Sequence, residues 1–155
     1  MDNDWERSID RLVAERSQAR HAASEAITAK SARLAENAKA FDDAVTAAWE
    51  PVLLAAKRLV EKVATVDIID KSASSSNGTR VSRTYGLNVR ALPLPGSTDS
   101  PPVAMLRFAG DFDTGLVKVE HPSAPPGAPA VPLASIAKDT AERAVIEVVE
   151  KALKG

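Results

Sequence analysis

Apolar positions along the chain follow two different periods. From Trp5 to Val63 they recur every three or four residues, at Trp5, Ile9, Leu12, Ala19, Ala23, Ile27, Leu34, Phe41, Val45, Ala48, Val52, Leu59 and Val63. That spacing marks one face of an α-helix. The segment has no glycine and is rich in alanine, the strongest helix former. Asp2, Asn3 and Asp4 are all N-cap residue types, and Glu6 puts favourable negative charge in the first turn. Charged or small residues fill the slots at Arg16, Lys30 and Asn37/Ala38, so the stripe is coiled-coil-like but interrupted. Pro51 lacks an N–H and its ring collides with the carbonyl four residues back. The pattern therefore predicts a long helix to about Trp49, a kink or break at Pro51, and a second helix to Val63. A helix of about 45 residues is roughly 70 Å long, whereas a compact chain of this size is about 35 Å across. Such a helix must protrude, pair with another chain or fold back on itself.

Beyond Val63 the period shortens. Thr65–Ile69 is rich in β-branched residues and predicts a short strand. Ser72–Gly78 reads as a loop ending in an Asn77-Gly78 turn. Arg80–Leu92 alternates: Val81, Tyr85, Leu87, Val89 and Ala91 share one face, and Arg80, Ser82, Thr84, Asn88 and Arg90 share the other. Arg83 interrupts the apolar face, and Gly86 suggests a bulge. Pro93–Pro102 is a loop, Val103–Ala109 a strand, Gly110–Gly115 a hairpin turn and Leu116–His121 the returning strand. Pro122–Pro132 predicts an extended proline-rich connector. Leu133–Leu153 is the last helix, with Leu133, Ile136, Ala137, Thr140, Ala144, Val145, Val148, Val149 and Ala152 as its stripe. Lys151 and Lys154 suit its C-terminal end, and Gly155 ends the chain.

Helices and strands that come in runs rather than alternating define an α+β fold. The expected architecture is a long N-terminal helix kinked or broken at Pro51, a three- to four-stranded antiparallel sheet, and a C-terminal helix packed on that sheet. Residues 1–50 form the long helical element, and residues 51–155 a small α+β domain. The Pro51–Val63 and C-terminal helices are the natural cover for one sheet face. Residues 3–49 then have little of their own chain to pack against. Trp5, Ile9, Leu12, Ile27, Leu34, Phe41 and Val45 become the expected oligomer interface, most simply with a second copy. The alternative is a monomer in which the segment breaks near Lys30 or Asn37 and folds back as a hairpin.

Composition narrows the chemistry. The 155 residues include no Cys and two His, His21 and His121. This excludes disulfides, thiolate metal sites and a multi-histidine site within one chain. Lys and Arg total 20 against 21 Asp and Glu, without the basic excess usual in a nucleic-acid module. Residues 1–50 hold seven basic and ten acidic side chains, residues 71–121 six and four. The cations of the second segment make Arg80, Arg90 and Lys118, which share polar-face parity, the candidate anion-binding set. Arg83 and Arg107 fall on the opposite parity and need partners such as Asp67, Asp111 or a helix carboxylate.

The helix–strands–helix order also occurs in double-stranded RNA-binding domains, which bring a basic start to their last helix. Here Ser135–Arg143 is mixed in charge. Asp111-Phe112-Asp113-Thr114-Gly115 contains part of a calcium loop but lacks its remaining ligands, and reads as a turn. Pro122–Pro125 and Pro126–Pro129 have the spacing of polyproline ligands, which any proline-rich linker also produces. His121 reads as a strand-end residue, and His21 with Glu25 as a helix-surface pair. No nucleophile elbow, phosphate loop, dinucleotide fingerprint or metalloprotease motif is present. The opening residues lack a signal-peptide pattern, and no run approaches a membrane span.

The expected protein is thus a cytoplasmic, self-associating interaction or assembly module without cofactor, metal or membrane partner, with a further protein partner possible in kind. Polyanion binding through the Arg-bearing sheet is the second reading, and nucleic acid is disfavoured by the charge balance. An enzyme with a carboxylate- or Arg-based site is the third.

Overall fold

A computed structural model describes residues 3–124 and 127–154. Asp2, Pro125, Pro126 and Gly155 lie outside the described residues. So do the N-cap, polyproline and chain-end assignments made on them. The order is α1 (Asp4–Ala44), a π-helical turn (Val45–Trp49), α2 (Glu50–Val60), β1 (Ala64–Ser74), β2 (Arg80–Ala91), β3 (Val103–Asp111), β4 (Leu116–Glu120), β5 (Val131–Pro132), a 3-10 turn (Leu133–Ser135) and α3 (Thr140–Lys154). The fold is α+β, as the pattern predicts. The chain divides into two units, one up to Arg33 and one from Leu34 onward. The last turns of α1 carry core residues of the second unit, Leu34, Ala38 and Phe41.

The helical path does not break at Pro51. Instead the turn before it widens: the Glu50 N–H donates to the Val45 carbonyl, five residues back. Backbone angles at Trp49 and Glu50 stay right-handed helical. Pro51 occupies the first turn of α2, the part of a helix where proline is best tolerated. The wide turn also shifts the buried face by one residue. Phe41, Val45, Trp49 and Leu53 are buried at 1%, 1%, 3% and 0% exposure, a run of three consecutive four-residue steps. On a regular helix each such step drifts by about 40°; the π turn absorbs the drift. The expected positions Leu59 and Val63 are therefore exposed, and Trp49, Leu53 and Ala56 take the core places.

Among the described residues the sheet has five antiparallel strands in sequence order, more than the three to four expected. The extra strand, Val131–Pro132, hides in the proline-rich connector. It pairs with Leu116 and Val117, and proline is tolerated on such an edge strand. β1 runs past Ile69 to Ser74, so the first hairpin is longer than its β-branched segment suggests. It turns at Gly78 (φ +85°). Gly86 is not a bulge: pairing runs unbroken through Ile69↔Gly86 and Gly86↔Arg107. The bulge lies at the start of β2, where Ala73 faces Ser82 and Ser74 faces Arg80, skipping Val81. The β3–β4 turn contains Gly115 (φ +73°). Its Asp111 carboxylate accepts the Asp113 N–H at 2.9 Å, so that side chain serves the turn.

One sheet face carries Val66, Tyr85, Leu87, Val89, Ala104, Leu106, Phe108 and Val117. α2 and α3 cover it, as expected. Trp49 stacks on Phe108 with centroids 4.0 Å apart, and Phe41 meets Trp49 edge-on at 5.1 Å. Residues Leu133–Asp139 do not join the last helix. Ile136 is extended, and Asp139 stands immediately before α3, where it is a favoured capping type. Ala141, Ala144, Val145, Val148 and Ala152 form the buried face of α3.

Candidate functional site

The seven residues expected at an oligomer interface separate into two groups. Leu34, Phe41 and Val45 are buried in the chain's own core at 5%, 1% and 1% exposure. They belong to the buried core cluster and are not available to a partner. Trp5, Ile9, Leu12 and Ile27 are 65%, 50%, 60% and 68% exposed. No residue between Asp4 and Arg33 is buried. Val13, also exposed, adjoins this stripe, four residues after Ile9 and next to Leu12. The remaining surface of these turns is polar, with pairs such as His21–Glu25 at 3.0 Å.

The candidate anion set does not assemble. Arg80 leaves the polar face because the bulge at Val81 re-aims it. Its Nη1 and Nη2 donate to Asp42 Oδ2 and Oδ1 at 2.9 and 3.0 Å, and its guanidinium lies 5.4 Å from the Phe112 ring. Arg83, on the core-face parity, finds the helix carboxylate that its position requires. Its Nη1 donates to Asp42 Oδ1 at 2.7 Å, while Nε and Nη2 donate to Asp70 at 2.9 and 2.8 Å. The hydrogen bond from Arg80 holds the Asp42 carboxyl below the usual carboxylate range, and that from Arg83 does the same to Asp70. Both arginine pKa values are raised in return, chiefly by hydrogen bonds to Asp42 for Arg80 and to Asp70 for Arg83. Two arginines and two aspartates neutralise one another, which makes a clamp between helix and sheet rather than an open anion receptor. Burial, followed by the charges of Glu50 and Asp70, raises the pKa of neighbouring Tyr85.

Arg90 is exposed opposite Val103, and Lys118 stands opposite Ala109 with Glu120 at 3.6 Å. Val103 and Ala109 are six residues apart on β3, about 20 Å at the usual strand rise. The two cations cannot share one small anion. Arg107 is on the open face, not the core face as its assigned parity implied, because the buried positions of β3 are the even-numbered ones. It lies across from Gly86, whose lack of a side chain leaves the backbone approachable. Arg107 Nη1 donates to the Leu87 and Leu106 carbonyls at 3.1 Å each, and Nη2 to Asn88 Oδ1 at 2.8 Å. Burial lowers its pKa, with Glu120 opposing the effect.

A cavity of about 440 Å³ adjoins the start of β3, with Met105, Lys118, His121 and Lys151 in its wall. His121 Nδ1 lies 2.5 Å from Glu147 Oε2, joining the end of β4 to α3. His121 is thus not a lone strand-end residue: its partner is 26 positions away and carries no local signal. The described residues lining this cavity include no Ser, Thr or Cys; its cationic lining is Lys118 and Lys151.

Compared with protein-family models, with curated proteins and with solved structures, the chain matches none. Among the described residues no helix is long and apolar enough to cross a membrane. The class defined by the geometry is an α+β protein with a covered sheet and an uncovered amphipathic helical unit.

Proposed function

We propose that this protein is a self-associating interaction or assembly module, without catalytic activity, whose residues 4–33 pair with a second copy as a short coiled coil. One observation carries the reading: Trp5, Ile9, Leu12 and Ile27 lie along one helix face and are all at least half exposed, and no residue from Asp4 to Arg33 is buried. Isolated helices gain little from propensity alone and draw most of their stability from packing an apolar face. Burying a side chain of this size contributes about 1.5–3 kcal/mol. A second copy supplies an identical face without requiring another gene product, which makes it the simplest cover. The test is sedimentation equilibrium of the full chain and of Ile9→Asp/Leu12→Asp. The account expects a dimer or larger for the native chain and a folded monomer for the variant. Equal masses for the two would refute it.

A further inference from the structure

We propose that the second unit binds an acidic peptide, which adds as an extended strand to the free edge of β3 in a gap of the sheet. This surface belongs to the unit from Leu34 onward, so the proposal stands whether or not residues 4–33 pair. β3 begins at Val103, but its pairing with β4 begins only at Arg107↔Glu120. The sequence explains why β4 stops there. Pro122 has no N–H to give to a ladder, and the Ala124 N–H donates to the His121 carbonyl at 2.9 Å, closing a turn. Val103–Leu106 therefore has β2 on one side and, among the described residues, no strand on the other.

The 440 Å³ cavity is this gap. Val103, Ala104 and Met105 all line it. Successive side chains of a strand point to opposite faces, so a cavity touched by all three sits at the strand's edge. The backbone there has a definite sense. Leu106 directs its carbonyl toward β2, with the oxygen 1.9 Å from where a Gly86 Cβ would stand. Backbone groups of successive residues alternate between the two edges of an antiparallel strand, so Val103 and Met105 turn their N–H and C=O groups to the gap. No backbone partner meets them there among the described residues. An extended chain is the ligand that satisfies such an edge. Charge specifies its side chains. Lys118 lies on the open face of the sheet, opposite Ala109, and Lys151 belongs to α3, on the covered face. Both line the cavity. Lys118 has Glu120 at 3.6 Å; Lys151 has no ion pair or hydrogen bond among the described residues. Two adjacent carboxylates on an extended peptide point to opposite faces and meet one lysine each. Val103 and Met105, 39% and 46% exposed, offer apolar contact to the residues that flank them.

The test is fluorescence anisotropy of a labelled, end-capped Val-Glu-Glu-Val peptide titrated with the full chain at low salt. Saturable binding is expected. Lys118→Ala and Lys151→Ala, neither at a buried position, should each weaken it by about 2–5-fold, the range of a solvent-screened ion pair. A Val-Gln-Gln-Val peptide loses both pairs and should bind about 10-fold more weakly. Methylating the backbone nitrogen of one glutamate or of the other gives two further probes. Adjacent N–H groups face opposite edges of a strand, so one probe should lose binding and the other keep it. Equal affinity of the two methylated peptides overturns strand addition. Equal affinity of the acidic and glutamine peptides, or of the native and Lys151→Ala chains, overturns recognition of carboxylates. No saturable binding of the acidic peptide overturns the proposal whole. None of these outcomes bears on the mass of the chain, which tests self-association separately.

Discussion

At the residue scale, two glycines and one aspartate show where the fold has no slack. A Cβ on Gly110 would lie 2.5 Å from the Phe41 ring. Phe41 is 1% exposed and held by Trp49 and Phe112, so it has nowhere to retreat. Gly110→Ala should cost about 1–3 kcal/mol, as over-packing does, read as a lower urea midpoint. Pairing it with Phe41→Leu should recover part of the loss. Gly86 is tighter still, with the Leu106 carbonyl oxygen 1.9 Å from the position of its Cβ. The sequence marks Gly86 as special, but not why: close strand approach and a bulge leave the same single-letter trace. Arg83 was more legible. Its parity required a carboxylate, and one from a helix is present. No local pattern could pick out Asp42, 41 positions away.

Asp42 gives a pH prediction. Its folded pKa lies below the ordinary carboxylate value. The stability it contributes is therefore complete above the unfolded pKa of about 3.9 and is lost as pH falls through the folded value. Its side chain is 35% exposed, so solvent screens the pair, and Asp42→Asn should cost only about 1 kcal/mol at pH 7. Urea unfolding of native and variant chains at pH 7 and near pH 2 should show this gap narrowing in acid. A gap independent of pH would remove the ion pair from the account.

At the element scale, the π turn is the feature that periodicity alone mistakes. Regular helical spacing carries the stripe through Ala48, Val52 and Leu59, whereas the buried series is Trp49, Leu53 and Ala56. The clue was present as the successive four-residue steps from Phe41 to Leu53, but regular phase and π phase differ by only one residue. A π turn behaves as a one-residue insertion within a helix. Deleting exposed Thr46 should therefore return Trp49 and Leu53 to regular spacing. With Pro51→Ala removing the ring clash that a regular turn would meet, the deletion variant should keep cooperative thermal unfolding. Deleting Lys39, equally exposed but within regular helix, should lower the unfolding temperature further, because Leu34 and Ala38 upstream of it rotate by about 100° out of their places in the core. If both deletions behave alike, the π turn is not the adjustable joint described here. The hairpins were legible because alternation and Asn-Gly or Asp/Gly turns are local signals. β5 was not, because two residues have no period.

At the scale of the whole molecule, the sequence announced a surplus of apolar helix over available sheet. The structure divides that surplus at Leu34: the later turns are used in the core, and the earlier ones stay uncovered. Cations spread along strands suggested an anion site, but strand parity cannot tell that a bulge redirects Arg80 or that six residues of β3 separate the positions facing Arg90 and Lys118. What remains uncovered is the stripe of residues 4–33, and the account stands on its pairing. The most direct measurement is the absolute mass of the full chain by light scattering after size exclusion, across concentration, at low and high salt. Apolar burial predicts at least twice the 16.4 kDa chain mass, undiminished in salt, which screens charges but does not weaken hydrophobic contact. A mass of one chain at every concentration would contradict it.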